Sequence, residues 1–229
     1  MPEITVIGHR GAPHHAPENS IESFEKAIEL GASVIELDVR LTMDCKVIVI
    51  HDEGVERTTN GRGEVGEKTL EELSGFTLKN GEKIPTLADV FERLAGKCRF
   101  IIDMKSESVE IPAYEIVLER GLMSDVLFAS FHGPQLLNLK VRDGGARVAF
   151  ACQEKKMNMV KIGKSLKATA VHPRAKLAKP VLIDGAHAEG LDMNVWTVNK
   201  PRHMRKFIDM GVDGIITDKP DVLIDILSK

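Results

Sequence analysis

Strand-like β-branched runs alternate with longer amphipathic segments from one end of the chain to the other, and few folds tolerate that rhythm. Strands are expected at 4–9, 34–41, 100–105, 126–131, 147–151, 168–172, 194–198 and 214–217. Helices are expected at 20–30, 87–94, 111–119, 134–141, 158–166, 179–189, 201–210 and 221–227. A parallel neighbour can be reached only by a long return connection, so eight strands alternating with eight helices imply a parallel sheet with helical crossovers. The fold class read from this pattern is α/β: a (β/α)8 TIM barrel, one domain spanning 1–229. With 229 residues, 43% of them hydrophobic, the chain can bury the core that such a barrel needs. Turn chemistry supports the boundaries. Asn19 or Ser20 caps the first helix, Gly31 and Gly211 follow helix ends, and Pro201 and Pro220 occupy first turns.

One stretch breaks the alternation. Residues 43–46 read as a turn and 47–51 as an extra strand. Residues 53–85 are polar and glycine-rich, with Asn60-Gly61, Gly63 and one short helical patch at 69–73. This is expected to be a small insertion after the second strand that passes over one barrel end, where insertions commonly cover an active site.

Charge and composition remove several function classes. The net charge is −3 and no strongly basic segment stands out, which argues against a nucleic-acid partner. No apolar stretch approaches the roughly 18 residues that cross a bilayer, so membrane contact is expected to be peripheral at most. The N-terminus shows no charged-then-apolar leader. Cys45, Cys98 and Cys152 are odd in number and form no C-x-x-C pair, as expected for reduced thiols in a cytoplasmic protein.

In a barrel of this kind the chemistry belongs at the C-terminal ends of the strands. Glu36 and Asp38 lie two residues apart on one strand and therefore face the same side. Val34, Ile35, Leu37 and Val39 around them mark a strand buried on both faces, so the two carboxylates point inward. Two like charges in such a place repel and desolvate badly unless a cation joins them. Asp103 reaches the same mouth from the next barrel strand. Three carboxylates suit a hard divalent cation, Mg²⁺ or Ca²⁺, rather than zinc. His9 and His51, each beside a charged residue at a strand end, are read as the acid/base pair. Arg10 and Lys105 are read as phosphate clamps. Trp196 and His132 complete the substrate-binding set, Trp196 either packing against the alcohol part of a substrate or capping the core. Asp218 is read as a helix cap, and His14 and His15 as solvated surface residues.

Taken in order, His9-Arg10-Gly11-Ala12-Pro13, Pro17-Glu18-Asn19-Ser20, Glu36-Leu37-Asp38-Val39, His51-Asp52, Ile84-Pro85-Thr86-Leu87, Ser130-Phe131, Trp196-Thr197-Val198-Asn199 and the run from Gly211 to Pro220 resemble the glycerophosphodiester phosphodiesterase family over nearly the whole chain. The resemblance implies a (β/α)8 barrel with a small insertion after the second strand. It implies a metal held by Glu36, Asp38 and the third-strand carboxylate, with His9 and His51 as acid and base. It also implies a small-molecule glycerophosphodiester substrate cleaved to glycerol 3-phosphate and an alcohol, by internal attack of a glycerol hydroxyl or by direct attack of water. One departure stands out. The family pattern on the third strand is Glu, one residue, then Lys, whereas this chain has Asp103, Met104 and Lys105. The shorter acid is expected to seat the cation differently or through a water. Two competing readings fit less well. A lysophospholipase D or phosphoinositide-type phospholipase on the same barrel needs an apolar ramp, and the insertion offers Phe76 as its one aromatic. A non-catalytic phosphoester-binding barrel would have lost an acid/base residue, and every such position is filled.

Overall fold

The computed structural model describes residues 4–229. The strands are β1 (Thr5–His9), β2 (Val34–Leu41), β3 (Val47–Val49), β4 (Arg99–Met104), β5 (Val126–Ser130), β6 (Val148–Cys152), β7 (Ala170–Pro173), β8 (Asp192–Val195) and β9 (Gly214–Thr217). Helices α1 (Ile21–Glu29), α2 (Leu70–Leu73), α3 (Leu87–Leu94), α4 (Glu110–Glu119), α5 (Gly133–Arg142), α6 (Met159–Ser165), α7 (Pro180–Ala188), α8 (Pro201–Asp209) and α9 (Pro220–Leu227) connect or follow them. Eight strands run parallel in the order β1-β9-β8-β7-β6-β5-β4-β2, and a further β1–β2 pairing closes the ring. The expected TIM barrel is therefore the observed fold. β3 lies outside the ring, antiparallel to the end of β2.

The barrel works by residue parity. On β2, Ile35, Leu37 and Val39 join the large core between strands and helices, with Phe24 of α1 and Phe91 of α3. Val34 faces the other way and packs inside the barrel with Ile7, Ile101, Leu127 and Ile216. Alternation along a strand makes this division unavoidable. It also means that an inward position two residues beyond an interior apolar side chain emerges at the C-terminal mouth.

Local chemistry fixes the helix starts. The Ser20 side chain caps α1 by accepting from Ser23 N at 3.0 Å, so the cap is Ser20 and Asn19 is free for other work. Thr69 and Thr86 each form a reciprocal capping box, with Glu72 and Asp89 respectively.

The insertion differs from expectation in two ways. It encloses its own small core, in which Val55, Val65, Leu73, Leu78 and Ile84 pack against Ile48 and Ile50. Phe76 packs against this cluster and lies so close to Gly61 that a Cβ there would come within 2.4 Å of the ring. The apolar residues of this polar-looking stretch are thus turned inward. The insertion also does not roof the barrel mouth, because none of residues 53–85 lines the cavity described below.

Phe128 is fully buried and packs beside Tyr114 of α4. Phe128→Ala should cost about 3–5 kcal/mol of stability through lost burial and a residual cavity. The midpoint of denaturant unfolding measures this, and a loss below about 1 kcal/mol would show that the layer repacks freely.

Candidate active site

Strand register assembles the site. His9 of β1 is the pairing partner of Glu36 on β2, and Asp38 on β2 is the partner of Asp103 on β4. All four positions follow the inward parity set by Ile7, Val34 and Ile101. Three adjacent strands therefore deliver an imidazole and three carboxylates to one patch of the mouth. One oxygen of each acid lies within 4.8 Å of the others.

Each carboxylate is held by a protein donor. Arg10 N donates to Glu36 Oε2 at 2.8 Å. Asn19 Nδ2 donates to Asp38 Oδ2 at 2.9 Å, and Arg10 Nε pairs with the same oxygen at 3.0 Å. Lys105 Nζ donates to Asp103 Oδ2 at 2.5 Å and lies 3.2 Å from Asp38 Oδ1. Asp38 Oδ1 and Asp103 Oδ1 are buried without a hydrogen bond. Three acids thus face two fixed cations, Arg10 and Lys105. Burial, aided by the charge of Asp38, pushes Glu36 up to about 7, and burial also raises Asp103. Asp38 is held below the usual carboxylate range, where Lys105 and Arg10 overcome its burial. A cluster of this kind, with unshared oxygens and negative charge to spare, could hold a divalent cation.

The backbone at this rim is unusual. Arg10 and Asn19 both adopt left-handed conformations, with φ of 54° and 56°, and Gly11 between them has φ 91°. Such conformations are costly for side-chain-bearing residues and concentrate at functional sites. Here the turn at Arg10 aims its N–H at Glu36.

Two histidines enter the cavity in matching fashion. His9 Nδ1 bonds Asp218 Oδ1 at 2.6 Å, and His51 Nδ1 bonds Asp52 Oδ1 at 2.6 Å. Among the described residues the Nε2 atom of each ring has no protein partner. Burial works against protonated His9, yet the bond to Asp218 and the charge of Glu36 raise its pKa above the ordinary value. Asp52 is in turn bound by Arg57 from the insertion. Arg57 also donates through NH1 and NH2 to Glu18, at 2.6 and 2.8 Å, and Glu18 accepts from Arg10 at 2.7 Å. The insertion therefore braces the rim instead of covering it.

The cavity encloses about 280 Å³. His9, Arg10, Glu36, His51, Asp103, Lys105 and Trp196 line it, as the sequence suggested for them, and Asp38 is buried among them. His132 is a correction. It is exposed, sits one residue past inward-facing Phe131, and does not line the cavity, because parity turns it away. Asp218 is a second correction. Lys219, not Asp218, stands at the N-cap of α9, and Asp218 holds His9 and accepts from Asn199 Nδ2. The inward rule would have found it, two residues after Ile216, together with Phe131, Gln153 and His172, which also line the cavity. Burial pushes His172 down to about 4, so it is neutral and its Nε2 lies 3.1 Å from Asn194. Trp196 donates from its indole to His172 O at 2.7 Å and meets Phe131 edge to face at 5.5 Å, forming an apolar wall.

Replacing Asp218 by Asn removes the main influence that raises His9. The His9 ring, followed by NMR titration, should then titrate at lower pH, and turnover should fall at least about tenfold. An unmoved His9 titration would show that Asp218 does not tune the ring.

Comparison with known proteins agrees with this geometry. The profile of the "Glycerophosphoryl diester phosphodiesterase family" matches residues 9–222. A glycerophosphodiester phosphodiesterase of Caldanaerobacter subterraneus subsp. tengcongensis is 38% identical, covering 98% of each chain. The crystal structure of a glycerophosphodiester phosphodiesterase from Parabacteroides distasonis superposes with a TM-score of 0.89 at 29% identity, covering 99% of this chain and 98% of that one. An Oleispira antarctica phosphodiesterase, solved with its product sn-glycerol-3-phosphate, shares the fold at a TM-score of 0.91 and 24% identity, covering 100% of this chain and 98% of that one. With its barrel, its acid cluster and a match over nearly its full length, the chain is an enzyme of the glycerophosphoryl diester phosphodiesterase family.

Proposed function

We propose that this enzyme hydrolyses glycerophosphodiesters to glycerol 3-phosphate and an alcohol, with His9 and His51 as the acid/base pair. The observation that carries the reading is the pair of carboxylate-anchored imidazoles lining one cavity with the three acids. A ring fixed through Nδ1 presents Nε2 in a defined direction, which is what proton transfer requires. One imidazole takes the proton from the attacking oxygen, whether that of water or of the substrate's own glycerol hydroxyl. The other gives a proton to the departing alkoxide. Arg10 and Lys105 supply fixed positive charge for the phosphoryl oxygens, and Trp196 with Phe131 offers a wall for the alcohol part. Glu36, Asp38 and Asp103 would hold a divalent cation, Mg²⁺ or Ca²⁺, which when bound neutralises charge on the phosphoryl group.

A lipid substrate is less well served. Most apolar side chains of the insertion are buried in their own cluster, so the insertion offers an acyl chain little apolar surface. No helix among the described residues is long and apolar enough to cross a membrane.

Release of glycerol 3-phosphate from glycerophosphocholine or glycerophosphoethanolamine tests the proposal directly. Turnover is expected with Mg²⁺ or Ca²⁺ and is expected to vanish on chelation; full activity in a chelator would remove the cation from the mechanism. His51→Ala should lower turnover at least about a hundredfold. A variant as fast as the parent would exclude His51 from the chemistry.

A further inference from the structure

Trp196 has two sides. It lines the catalytic cavity, and it also lines a neighbouring cleft of about 510 Å³ between the segment after β7 and helix α8. Arg174, Lys176, His203 and Lys206 line this second cleft, and no carboxylate does. Past Lys206 it continues into another cleft carrying Lys179, Arg202 and Arg205, where Asp209 is the one acid. All six lysines and arginines are exposed, and among the described residues none takes part in a salt bridge or a side-chain hydrogen bond. Some basic residues elsewhere on the surface are paired, as in Arg142–Glu115 and Lys164–Glu189, and what sets this face apart is that its six cations line two adjoining clefts with a single acid between them. The expectation that no strongly basic segment exists is thereby corrected. Residues 200–206 contribute Lys200, Arg202, His203, Arg205 and Lys206, and the fold adds Arg174, Lys176 and Lys179 beside them.

A chain with a net charge of −3 gains no folding stability by gathering unpaired like charges on one face. A cleft walled by them is suited to an anion, and guanidinium and ammonium groups together are the usual ligands of a phosphate. We infer that the preferred substrates are glycerophosphodiesters whose alcohol part carries a phosphate of its own, bound by Arg174, Lys176 and Lys206 on the far side of Trp196. The inference rests on the hydrolase reading above. The scissile phosphate occupies the catalytic cavity, the alcohol passes Trp196, and its second phosphate meets the basic cleft. Choline, a cationic alternative, would gain the indole face but would enter an uncompensated positive field.

The test compares kcat/KM for glycerophosphoinositol 4-phosphate and for glycerophosphocholine at low ionic strength. The phosphorylated substrate should be favoured at least about tenfold, mainly through KM, with the advantage shrinking as salt rises. In the triple variant Arg174→Gln, Lys176→Gln, Lys206→Gln the ratio should fall toward one. A ratio at or below one in the parent, or an unchanged ratio in the triple variant, overturns the inference. It is equally overturned if phosphatidylglycerol vesicles bind the parent and not the triple variant while the substrate ratio is one, since the face would then be a membrane-docking surface. Calorimetric titration of glycerophosphoinositol 4-phosphate into both proteins separates the two readings. If neither diester is cleaved, the hydrolase reading fails. Tighter binding by the parent would still support the cleft, and equal binding would overturn it.

Discussion

Three buried carboxylates against two half-buried cations form the constraint around which the mouth of this barrel is arranged. Glu36, Asp38 and Asp103 could not be brought together by hydrophobic burial, which favours their separation. Strand register forces the meeting, and the rim then supplies Arg10, Asn19 and Lys105 to hold them. The left-handed turn at Arg10 and the displacement of the helix cap onto Ser20 both follow from this need. One gives a backbone N–H to Glu36, and the other releases Asn19 to hold Asp38.

Around that charged centre the two imidazoles are set by the same device in different settings. Asp218 comes from the end of the last barrel strand and orients the ring of the first. Asp52 follows His51 in the chain and is fixed from outside by Arg57, which links it to Glu18 and so to Arg10. His51 and the acid cluster are therefore tied into one network of charge-assisted hydrogen bonds through Asp52, Arg57, Glu18 and Arg10, while His9 is held separately by Asp218 and Asn199. In such a network a change at any member is felt by its neighbours.

The parallel α/β fold was legible in the chain because eight β-branched runs alternate with eight amphipathic ones, and the β1–β2 pairing closes them into a barrel. The acid cluster was legible for a local reason: Glu36 and Asp38 interrupt a strand that is otherwise apolar on both faces. What escaped depended on parity and on distance. Asp218 resembles any acid before a helix until Ile216 is seen to point into the barrel. His132 is a histidine at a strand end, but it lies one residue out of phase with inward-facing Phe131. Asn19 and Arg57 act through partners 19 and 39 residues away, a separation that no local pattern encodes. The insertion looked polar because its apolar residues are dispersed in sequence, and they converge only when residues 55–84 fold back on Ile48 and Ile50.

The two histidines differ in what carries them. His9 ends a strand paired on both sides within the ring, whereas His51 follows β3, which pairs with β2 on one side and on the other is joined only by the bridge from Ile48 to Thr86 and the Val49 N–H to Pro85 O bond, above the insertion's small core. With His51 proposed to move a proton, turnover depends on this hairpin and the small core beneath it as well as on the barrel.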